Sequence, residues 1–522
     1  MFYVEPSVGQ PWPHPQQMMS SEQRLAVHPA AFHFLINATS QRCDLLVDAF
    51  DRYYRLIFYP QTYLKYVLNK KASSCDEPII ELPMLNTLTD TPLLKRLNVN
   101  VQQPCDHWPS LESNESYSLI IQGDHGVLDA VTVWGALRGL ETFSQLIYPD
   151  DDLLFAINET KITDYPRFQH RGLLIDTSRH FISVNTLKMN LDAMAQSKMN
   201  VFHWHIVDDQ SFPYDSRAFP EMSDEGAYDE THVYSQGDVA DIIEFARERG
   251  IRVLAEYDSP GHTLSWGKAV DILTKCYSGG KPDNEFGPMD PSRNSTFDFL
   301  KTFFGELADV YPDHYIHLGG DEVSFDCCNP DVQAFMANMK FGTDYSLLEQ
   351  YYMQNLVNIV GSTGKGYAVW QEIIDNNVTV KADTVVEVWK DPYPEEMARV
   401  TKLGYRTILS TCWYLNYISY GSDWVQYYKC DPYNFNGTDD QKRLVIGGEA
   451  CMWGEYVDAT NVITITWPRA SVVAERLWSS IDTKDPNAAI PRLEEHRCRY
   501  LRRGIPAEPI NGPSFCQYEY RP

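Results

Sequence analysis

The residues best suited to chemistry lie in Tyr315–Val323, which reads Tyr-Ile-His-Leu-Gly-Gly-Asp-Glu-Val. Its apolar residues alternate as in a buried strand, and its two glycines leave room for a group to approach the backbone. Asp321 and Glu322 follow directly, so the pattern predicts a strand end that carries two carboxylates. An ordinary turn with solvated charges would also use glycine and acid, but it would not need the buried His317 before it.

Two carboxylates at one strand end are candidates for acid–base chemistry. Glycosidic cleavage normally needs an acid and a second carboxylate, about 5 Å away as nucleophile or about 6.5–9.5 Å away as base. Neighbours on a strand point to opposite sides, so Asp321 and Glu322 should reach different parts of a substrate. We therefore predict that Glu322 is the general acid/base and that Asp321 orients a group supplied by the substrate. Four other acids could instead provide a second catalytic carboxylate: Asp208, Glu256, Glu372 and Glu455.

From Arg171 onward, apolar strands alternate with amphipathic helices, which predicts a (β/α)8 TIM barrel. The candidate strands are Gly172–Thr177, Val201–Val207, Arg252–Glu256, Tyr315–Leu318, Gly366–Trp370, Val385–Trp389, Thr407–Thr411 and Val445–Met452. The clearest helices are Asn185–Lys198, Gly237–Arg249, Thr296–Val310 and Leu347–Val360. An open doubly wound sheet fits less well, because no Gly-x-Gly-x-x-Gly turn follows an early strand.

A smaller α/β domain is predicted before the barrel, over residues 1–165. Strands are expected at Tyr54–Tyr59 and Ser118–Gln122, and a helix at Thr132–Leu146. The proline in Asp164–Arg167 favours an extended linker. Residues 166–522 then form the catalytic barrel with a C-terminal helical tail.

A barrel predicts that chemistry clusters at the C-terminal ends of its strands. Those ends carry, in chain order, Asp176–His180, Asp208 with Asp209, Glu256 with Asp258 and His262, Asp321 with Glu322, Trp370–Glu372, Trp389, Trp413 with Tyr414, and Trp453–Glu455. A single tryptophan could equally serve in a core, but four of the eight ends carry one. Acids and an arginine that grip hydroxyls, with indoles that stack on sugar faces, indicate a carbohydrate site.

Composition narrows the function classes. Lysine and arginine number 44 against 71 acidic residues, a formal charge of -27. That balance argues against nucleic acid and anionic membranes as partners and suits an acidic compartment. No segment approaches the roughly 20 uninterrupted apolar residues of a membrane span.

Cysteines and glycosylation motifs together predict the secretory route, with a lysosomal or secreted product. The chain has 11 cysteines, of which Cys451 is the candidate buried free thiol. Met1–Pro15 lacks the apolar run of a signal peptide. The Asn-x-Ser/Thr motifs begin at Asn37, Asn114, Asn158, Asn294, Asn377 and Asn436.

Several motifs resemble the β-N-acetylhexosaminidases of glycoside hydrolase family 20, specifically the animal lysosomal hexosaminidase α/β type. They are Arg171–His180 (RGLLIDTSRH), Asn200–Asp209 (NVFHWHIVDD), Glu256–Ser265 (EYDSPGHTLS), His317–Val323 (HLGGDEV) and Gly448–Tyr456 (GEACMWGEY). The resemblance covers essentially the whole chain. It implies an exo-acting, retaining enzyme that removes terminal N-acetylglucosamine or N-acetylgalactosamine from glycoconjugates, with no cofactor or metal, and a dimer.

The same resemblance implies substrate-assisted catalysis, in which the acetamido oxygen attacks the anomeric carbon to form an oxazolinium. Glu322 would donate the proton and later activate water, Asp321 would hold the acetamido N–H, and Tyr414 would bind the acetamido oxygen. A neutral Glu322 would need a raised pKa, supplied by apolar walls and nearby negative charge. Asp258 and His262 resemble the pair that tunes this acid. Sugar contacts are implied for Arg179, Asp208, His262, Trp370, Trp389, Asn416, Trp453 and Glu455.

The resemblance also implies disulfides between Cys43 and Cys105, Cys276 and Cys327, and Cys498 and Cys516. Cys412 and Cys430 could pair across a loop, whereas Cys75, Cys328 and Cys451 are unassigned.

One departure concerns specificity. After Leu415 this chain has Asn416-Tyr417, where α-type chains resemble Asn-Arg, which accepts a 6-sulfate, and β-type chains resemble Asp-Leu, which rejects it. The missing arginine weakens the expectation of sulfated substrates, while the missing aspartate removes a repulsion. Ser278–Pro282 also departs from the α-type loop that docks the ganglioside activator.

Two rival functions remain to be separated. His203-Trp204-His205 puts two imidazoles on one strand face, as in metal-dependent amidohydrolase barrels, but no further histidine ligands are evident at later strand ends. We therefore expect structural hydrogen bonds from both histidines. A catalytically silent glycan-binding subunit is the other rival, and the presence of Asp321, Glu322 and Tyr414 argues against it.

Overall fold

The computed structural model of the chain describes residues 7–36, 43–58, 91–150, 154–325 and 329–516. They form a smaller α/β unit and a closed barrel, each around a hydrophobic core of its own. Trp478, from near the end of the chain, lies in the core of the smaller unit. The C-terminal segment therefore packs against both units. Among the described residues, no helix has the length and apolar character needed to cross a membrane.

The N-terminal unit is a mixed eight-stranded sheet with two described helices. Its strands are β1 (Gln17–Val27), β2 (His33–Ile36), β3 (Leu93–Leu94), β4 (Arg96–Val101), β5 (Tyr117–Gln122), β6 (His125–Ala130), β7 (Tyr148–Asp150) and β8 (Leu154–Asp164). The order across the sheet is β2-β4-β6-β5-β8-β1-β3, with β7 paired to β8. The helices are α1 (Asp44–Phe58) and α2 (Val133–Leu146).

Two of the three elements predicted in this unit are present. The strand at Ser118–Gln122 is β5, and the helix at Thr132–Leu146 is α2, whose Thr132 hydroxyl caps it by accepting from the Gly135 N–H. The strand predicted at Tyr54–Tyr59 is wrong, because Tyr54 to Phe58 belong to α1. Its aromatic and β-branched composition favours a strand locally, but the helical face of α1 packs into the core and overrides that preference.

Eight parallel strands close into a barrel, which confirms the predicted TIM-barrel architecture. The barrel strands are β9 (His170–Asp176), β10 (Val201–His205), β11 (Arg252–Glu256), β14 (Tyr315–His317), β15 (Gly366–Trp370), β16 (Val385–Val388), β17 (Arg406–Leu409) and β18 (Val445–Met452), and a hairpin of β12 (Leu273–Ser278) and β13 (Lys281–Met289) lies outside the barrel. Helices cover the outer faces, so every residue of β9, β10 and β11 is buried.

The helices that follow the barrel strands match the predicted ones with ends shifted by at most two residues. The described set comprises α3 (Val184–Gln196), α4 (Glu221–Gly226), α5 (Gln236–Arg247), α6 (Asn294–Val310), α7 (Pro330–Met339), α8 (Tyr345–Ser362), α9 (Glu372–Asp375), α10 (Tyr393–Lys402), α11 (Trp424–Lys429), α12 (Asp439–Leu444), α13 (Val462–Thr466), α14 (Arg469–Trp478) and α15 (Pro486–Arg502), with short 3-10 turns at Trp266–Lys268 and Thr411–Trp413. The start of α5 is fixed by a capping box. The Ser235 hydroxyl accepts from the Asp238 N–H, and the Asp238 carboxylate accepts from the Ser235 N–H.

A buried ion cluster joins the two units. Glu115 accepts from Arg138 of α2 at 2.7 Å and from Arg171 of β9 at 2.7 Å, and all three side chains are buried. Burial alone would raise the pKa of Glu115, but the guanidiniums of Arg171 and Arg138 outweigh it and lower the pKa. Two cations therefore depend on one carboxylate at the contact between the units.

Glu115→Gln tests this contact. Removing the charge leaves two buried guanidiniums without their counter-ion, which should cost about 3–5 kcal/mol of stability. Calorimetric unfolding should show a clearly lowered midpoint. Asp124→Asn is the control, because Asp124 pairs with Lys95 at 3.6 Å on the surface, and its midpoint should equal that of the unmodified protein. Equal midpoints for Glu115→Gln and the unmodified protein would contradict the assignment.

Candidate active site

The two adjacent carboxylates lie in a tight turn after β14. Strand β14 ends at His317, and Gly319 and Gly320 follow with φ of +67° and +94°. A Cβ on Gly319 would lie 1.6 Å from Oδ1 of Asp258, so only glycine fits. The Gly320 N–H donates to that same oxygen at 2.7 Å. Asp258, from the end of β11, thus shapes the turn that carries the carboxylates.

This turn changes the predicted relation between the two acids. The expectation that they point to opposite sides of a strand is wrong, because Glu322 is itself in the left-handed region at φ +52°. Asp321 and Glu322 both face Nε2 of His262, at 3.7 and 3.6 Å. They differ in burial instead, since the side chain of Asp321 is 13% exposed and that of Glu322 is 58% exposed.

Four aromatic rings from separate strand ends form a cage beside Asp321. Trp370 lies 6.5 Å from Trp389 and 6.1 Å from Trp453, and Tyr414 lies 6.4 Å from Trp389, measured between ring centroids. Burial raises the pKa of Tyr414, and the charge of Asp321 adds to this effect. Oδ1 of Asp321 is buried without a hydrogen-bond partner among the described residues. A buried acceptor near Tyr414 is therefore available for a donor group of a ligand.

Arg179 lies at the opposite wall. Its guanidinium contacts Asp176 at 3.0 Å and Asp208 at 2.9 Å, and it lies 5.3 Å from the ring centroid of Trp453. Glu455 is exposed, and its charge helps to raise the pKa of Arg179 against the opposing effect of burial. The chain thus holds one cation and one exposed acid at the mouth for hydroxyl groups.

Asp208, which was predicted to hold sugar hydroxyls, contacts three neighbouring side chains. Its side chain is fully buried, with Oδ2 at 2.8 Å from Nε2 of His205 and at 2.9 Å from Arg179. Its Oδ1 lies 3.3 Å from Nδ1 of His262. Asp208 therefore positions Arg179 and His262, which do reach the mouth.

His262 connects Asp208 to the acidic pair. Burial would lower the pKa of His262, but its contacts with Asp208 and Glu322 outweigh this and raise it, so the imidazole is a cation. We expected the pKa of Glu322 to be raised, and this is wrong: the neighbouring imidazolium, the largest influence, lowers it. The predicted pair of His262 and Asp258 lies together with Asp321, with polar atoms within 4.8 Å of one another, while the direct carboxylate contact of His262 below the mouth is Asp208.

Asp258 instead forms a buried acidic pair with Asp321. Burial, followed by the charge of Asp321, raises the pKa of Asp258 well above its usual range, and burial also raises the pKa of Asp321. Two such close carboxyls cannot both ionise easily, so they share a proton. Burial and the charge of Asp321 thus favour the neutral form of Asp258.

The residues at which the sequence departs from both subunit types follow Tyr414 or lie in the β12–β13 hairpin. Oδ1 of Asn416 is buried without a partner among the described residues. Tyr417 is 67% exposed, and its ring stacks 5.7 Å from that of Tyr414. Ser278–Pro282 forms the exposed tip of the β12–β13 hairpin.

Two rim residues were missed by sequence reasoning. Gln371 accepts from the backbone N–H groups of Trp389 and Lys390, at 3.1 and 2.9 Å. Lys390 pairs with Glu372 at 2.5 Å and lies 4.9 Å from the Trp389 ring centroid. Gln371 and Lys390 follow barrel strands, and this position could have indicated that they belong to the site. A polar residue at a strand end does not, however, show which tryptophan it contacts.

A metal centre deserves separate consideration, because several acid and histidine clusters lie close enough to hold an ion. His203, Glu256 and His317 form one, so the expectation that later strand ends lack histidine was wrong. Carboxylate contacts raise the pKa of His203 despite its burial, which favours the charged form of the imidazole. As expected, His203 and His205 make hydrogen bonds within the barrel.

The described cysteines include three disulfide pairs and one thiol, Cys451, which packs behind the aromatic cage. Disulfides join Cys43 to Cys105, Cys412 to Cys430 and Cys498 to Cys516; Cys276 is disulfide-bonded; and Cys451 is free and buried. Cys75, Cys327, Cys328 and Asn37 lie outside the described residues. Asn114, Asn294, Asn377 and Asn436 are exposed, whereas the amide of Asn158 donates to Ser21 O at 2.8 Å.

Comparisons with known proteins agree with this geometry. Residues 168–481 match the catalytic domain of glycosyl hydrolase family 20, and residues 11–146 match a family described as beta-acetyl hexosaminidase like. The chain is 48% identical to the beta-hexosaminidase subunit alpha of Bos taurus, over 98% of this chain and 95% of that protein. It is also 48% identical to the beta-hexosaminidase subunit beta of Homo sapiens, over 97% and 90% of the two chains.

The fold is likewise similar to a solved enzyme structure. The chitobiase of Flavobacterium johnsoniae superposes with a TM-score of 0.79 at 29% identity, covering 95% of this chain and 73% of that one. The barrel, the turn with its two carboxylates and the aromatic cage thus occur in a chain whose similarity to hexosaminidase subunits extends over nearly its whole length. The chain belongs to glycosyl hydrolase family 20.

Proposed function

We propose that this protein is an exo-acting, retaining β-N-acetylhexosaminidase that removes terminal N-acetylglucosamine or N-acetylgalactosamine from glycoconjugates. The observation that carries the proposal is Asp321, whose Oδ1 is buried without a hydrogen-bond partner among the described residues and whose charge acts on Tyr414 of the aromatic cage. A 2-acetamido group supplies both parts that such a pocket needs, because its N–H can donate to Asp321 and its methyl can pack on the indoles.

The reaction proceeds by substrate assistance. The acetamido oxygen attacks the anomeric carbon while the bond to the leaving oxygen breaks, and Glu322 gives that oxygen its proton. Asp321 accepts the acetamido N–H and stabilises the positive charge of the oxazolinium, and Tyr414 donates to the acetamido oxygen. Water then attacks the anomeric carbon, the bond from that carbon to the acetamido oxygen breaks, and the water gives its proton to Glu322, which restores the acid and the acetamide with overall retention.

Arg179 and Glu455 hold the hydroxyls of the terminal sugar, with Trp453 against its face. Lys390 and Tyr417 complete the rim, where a 6-substituent would meet a tyrosine instead of an arginine or a leucine. Glu322 is more exposed than Asp321, so the leaving part of the glycoconjugate extends outward from the acid.

Glu322→Gln tests the assignment of the acid. The amide cannot donate a proton, so turnover of an aryl N-acetylglucosaminide should fall at least ~100-fold. A thiazoline analogue of N-acetylglucosamine should still bind, because Asp321 and Tyr414 are unchanged. Glu395→Gln, an exposed acid in the first turn of α10, is the matched control and should keep full turnover. Normal turnover by Glu322→Gln would rule out the proposed acid.

His262→Asn tests the charge state of that acid. The imidazolium lowers the pKa of Glu322, so in the free enzyme the proton needed for catalysis is lost at a lower pH than usual. Without the cation the pKa of Glu322 rises, and the alkaline limb of kcat/KM should move to higher pH. His232→Asn, an exposed histidine paired with Asp229, should leave the limb in place. A limb that stays or moves to lower pH in His262→Asn would contradict this account.

We infer that the protein acts in the lysosome or after secretion, because an acidic pH optimum fits an acidic compartment.

The similarity of the chain to named alpha and beta subunits supports a dimer. Four large exposed side chains near the mouth support the same inference, because a group of exposed apolar side chains commonly marks a protein–protein interface. They are Tyr417, 67% exposed, Ile418, 85% exposed, Tyr420, fully exposed, and Tyr456, 77% exposed.

Light scattering of the purified protein should therefore give about twice the chain mass of 60.0 kDa. Ile418→Ser combined with Tyr420→Ser should shift the mass toward the monomer, because these changes remove apolar area from the proposed interface. Leu403→Ser, equally apolar and 56% exposed at the end of α10, is the control and should remain dimeric. A monomeric unmodified protein would disprove the dimer.

A further inference from the structure

Beneath the pocket, acids and histidines alternate down the barrel axis. His262 contacts Asp208 at 3.3 Å, Asp208 contacts His205 at 2.8 Å, and His205 contacts Glu256 at 2.6 Å. Each member comes from a strand end or the loop that follows it. The chain of contacts runs from Glu322 at the mouth to a carboxylate inside the barrel that the proposed mechanism does not use.

Glu256 occupies the lower end of this chain and uses both of its oxygens. Oε2 contacts Nδ1 of His205 at 2.6 Å and Nε2 of His203 at 3.0 Å. Oε1 accepts the Nε1–H of Trp370 at 2.8 Å and lies 3.1 Å from Nδ1 of His317. The side chain is fully buried. One carboxylate thus contacts both a wall of the aromatic cage and the histidine below Asp208.

We propose that Glu256 is a positioning residue that sets the two halves of the active site relative to each other. Through His205 and Asp208 it fixes His262 beside Glu322, and through the indole N–H it fixes Trp370 against the acetamide pocket. The proposal rests on the proposed hydrolase function, because it assigns Glu256 a part in that reaction. It contacts no substrate atom and acts only through these partners.

The chemistry of the position requires a carboxylate. A glutamine has one acceptor oxygen, so it cannot accept from the indole on one side and from imidazoliums on the other. If the oxygen faces Trp370, the amide group faces His203 and His205, which must then lose protons to accept from it. If the oxygen faces the imidazoles, the N–H of Trp370 is left buried and unpaired.

Charges surround Glu256 from several elements. His203 and His205 come from β10, His317 and Asp321 from β14 and its turn, and Asp258 from the loop after β11 itself; Glu449 of β18 and Glu387 of β16 lie behind His203. Burial would raise the pKa of Glu256, but the three histidines outweigh it and keep the carboxylate ionised. In return, Glu256 and Asp208 raise the pKa of His205 to about 9 despite its burial.

Glu449 shows what a purely structural carboxylate looks like at this depth. It is equally buried and also bridges two histidines, contacting His203 at 2.5 Å and His170 at 2.8 Å. Neither of its partners contacts the cage residues through a hydrogen bond or the pair of His262 and Asp208. Glu449 reaches Glu256 only through His203 and therefore offers a control, one contact further from the cage, for the loss of a buried carboxylate that bridges two imidazoles.

The test compares Glu256→Gln with the unmodified enzyme on an aryl N-acetylglucosaminide across pH. Misplacing the acid or the indole should lower kcat/KM by about 10–100-fold. In this variant His205 loses one of its two counter-charges, keeping that of Asp208, and releases its proton at a lower pH. Below that pH the contact between His205 and Asp208 persists, and above it the contact weakens. The ratio of kcat/KM in the variant to kcat/KM in the unmodified enzyme should therefore fall as pH rises.

Two further variants distinguish the effect of charge at position 256 from the effects of side-chain length and of protein stability. Glu256→Asp keeps the charge but cannot span from His205 to Trp370, so its kcat/KM should fall by a factor that stays constant with pH. Glu449→Gln should also show a constant ratio, whatever its stability. If Glu256→Gln does not fold, Glu256→Asp still tests the position. Unchanged kcat/KM in Glu256→Asp, or a pH-independent ratio in a folded Glu256→Gln, would overturn the proposal. An inactive unmodified enzyme would overturn the proposed function instead.

Discussion

An ionised group inside a folded chain is stable only if an opposite charge or a set of hydrogen bonds replaces the water it has lost. The rest of this structure depends on that constraint. Glu115 satisfies it between the two units by holding Arg138 and Arg171. Inside the barrel, carboxylates alternate with imidazoles for the same reason. The polar groups of the molecule thus determine which surfaces can meet, while the apolar cores supply most of the driving force.

At the mouth the same constraint gives neighbouring carboxyl groups different states. Asp258 has no cation in direct contact and keeps a proton, whereas Asp208, between Arg179 and two histidines, is ionised. Glu322 is partly solvated and lies beside an imidazolium. Three acids of similar intrinsic strength therefore serve as a neutral support, an anionic anchor and a titrating acid, with the difference arising entirely from their surroundings.

Much of the fold could be predicted from the sequence because the barrel repeats a local pattern. Each strand and helix has its own periodicity and boundary signals, so the eight strands were placed without knowledge of their neighbours. The strand prediction failed at Tyr54–Phe58, because the packing of α1 against the sheet outweighs the local preference of these residues for a strand. The residues at the strand ends were also predictable, because barrel topology brings such ends together whatever their pairing.

The contacts that these side chains make with one another could not be predicted. Nothing local indicates that Asp208 faces Arg179 and His262 instead of solvent, because the contact forms only when three strands close side by side. The charge of Glu322 follows from that arrangement and was misjudged with it. The link from Glu256 to the indole of Trp370 joins two positions far apart in the chain and leaves no trace in the composition of either segment.

The turn at Gly319 has a consequence for how the sequence can vary. The carboxyl group of Asp258 fills the space that any side chain at position 319 would need, and it also binds the next backbone N–H. A larger residue at 319 would displace Asp258, while a smaller residue at 258 would remove the support of the turn without freeing the glycine from its backbone conformation. The two sites therefore cannot drift independently, and a lineage that alters one must pass through a protein whose catalytic turn has lost its shape.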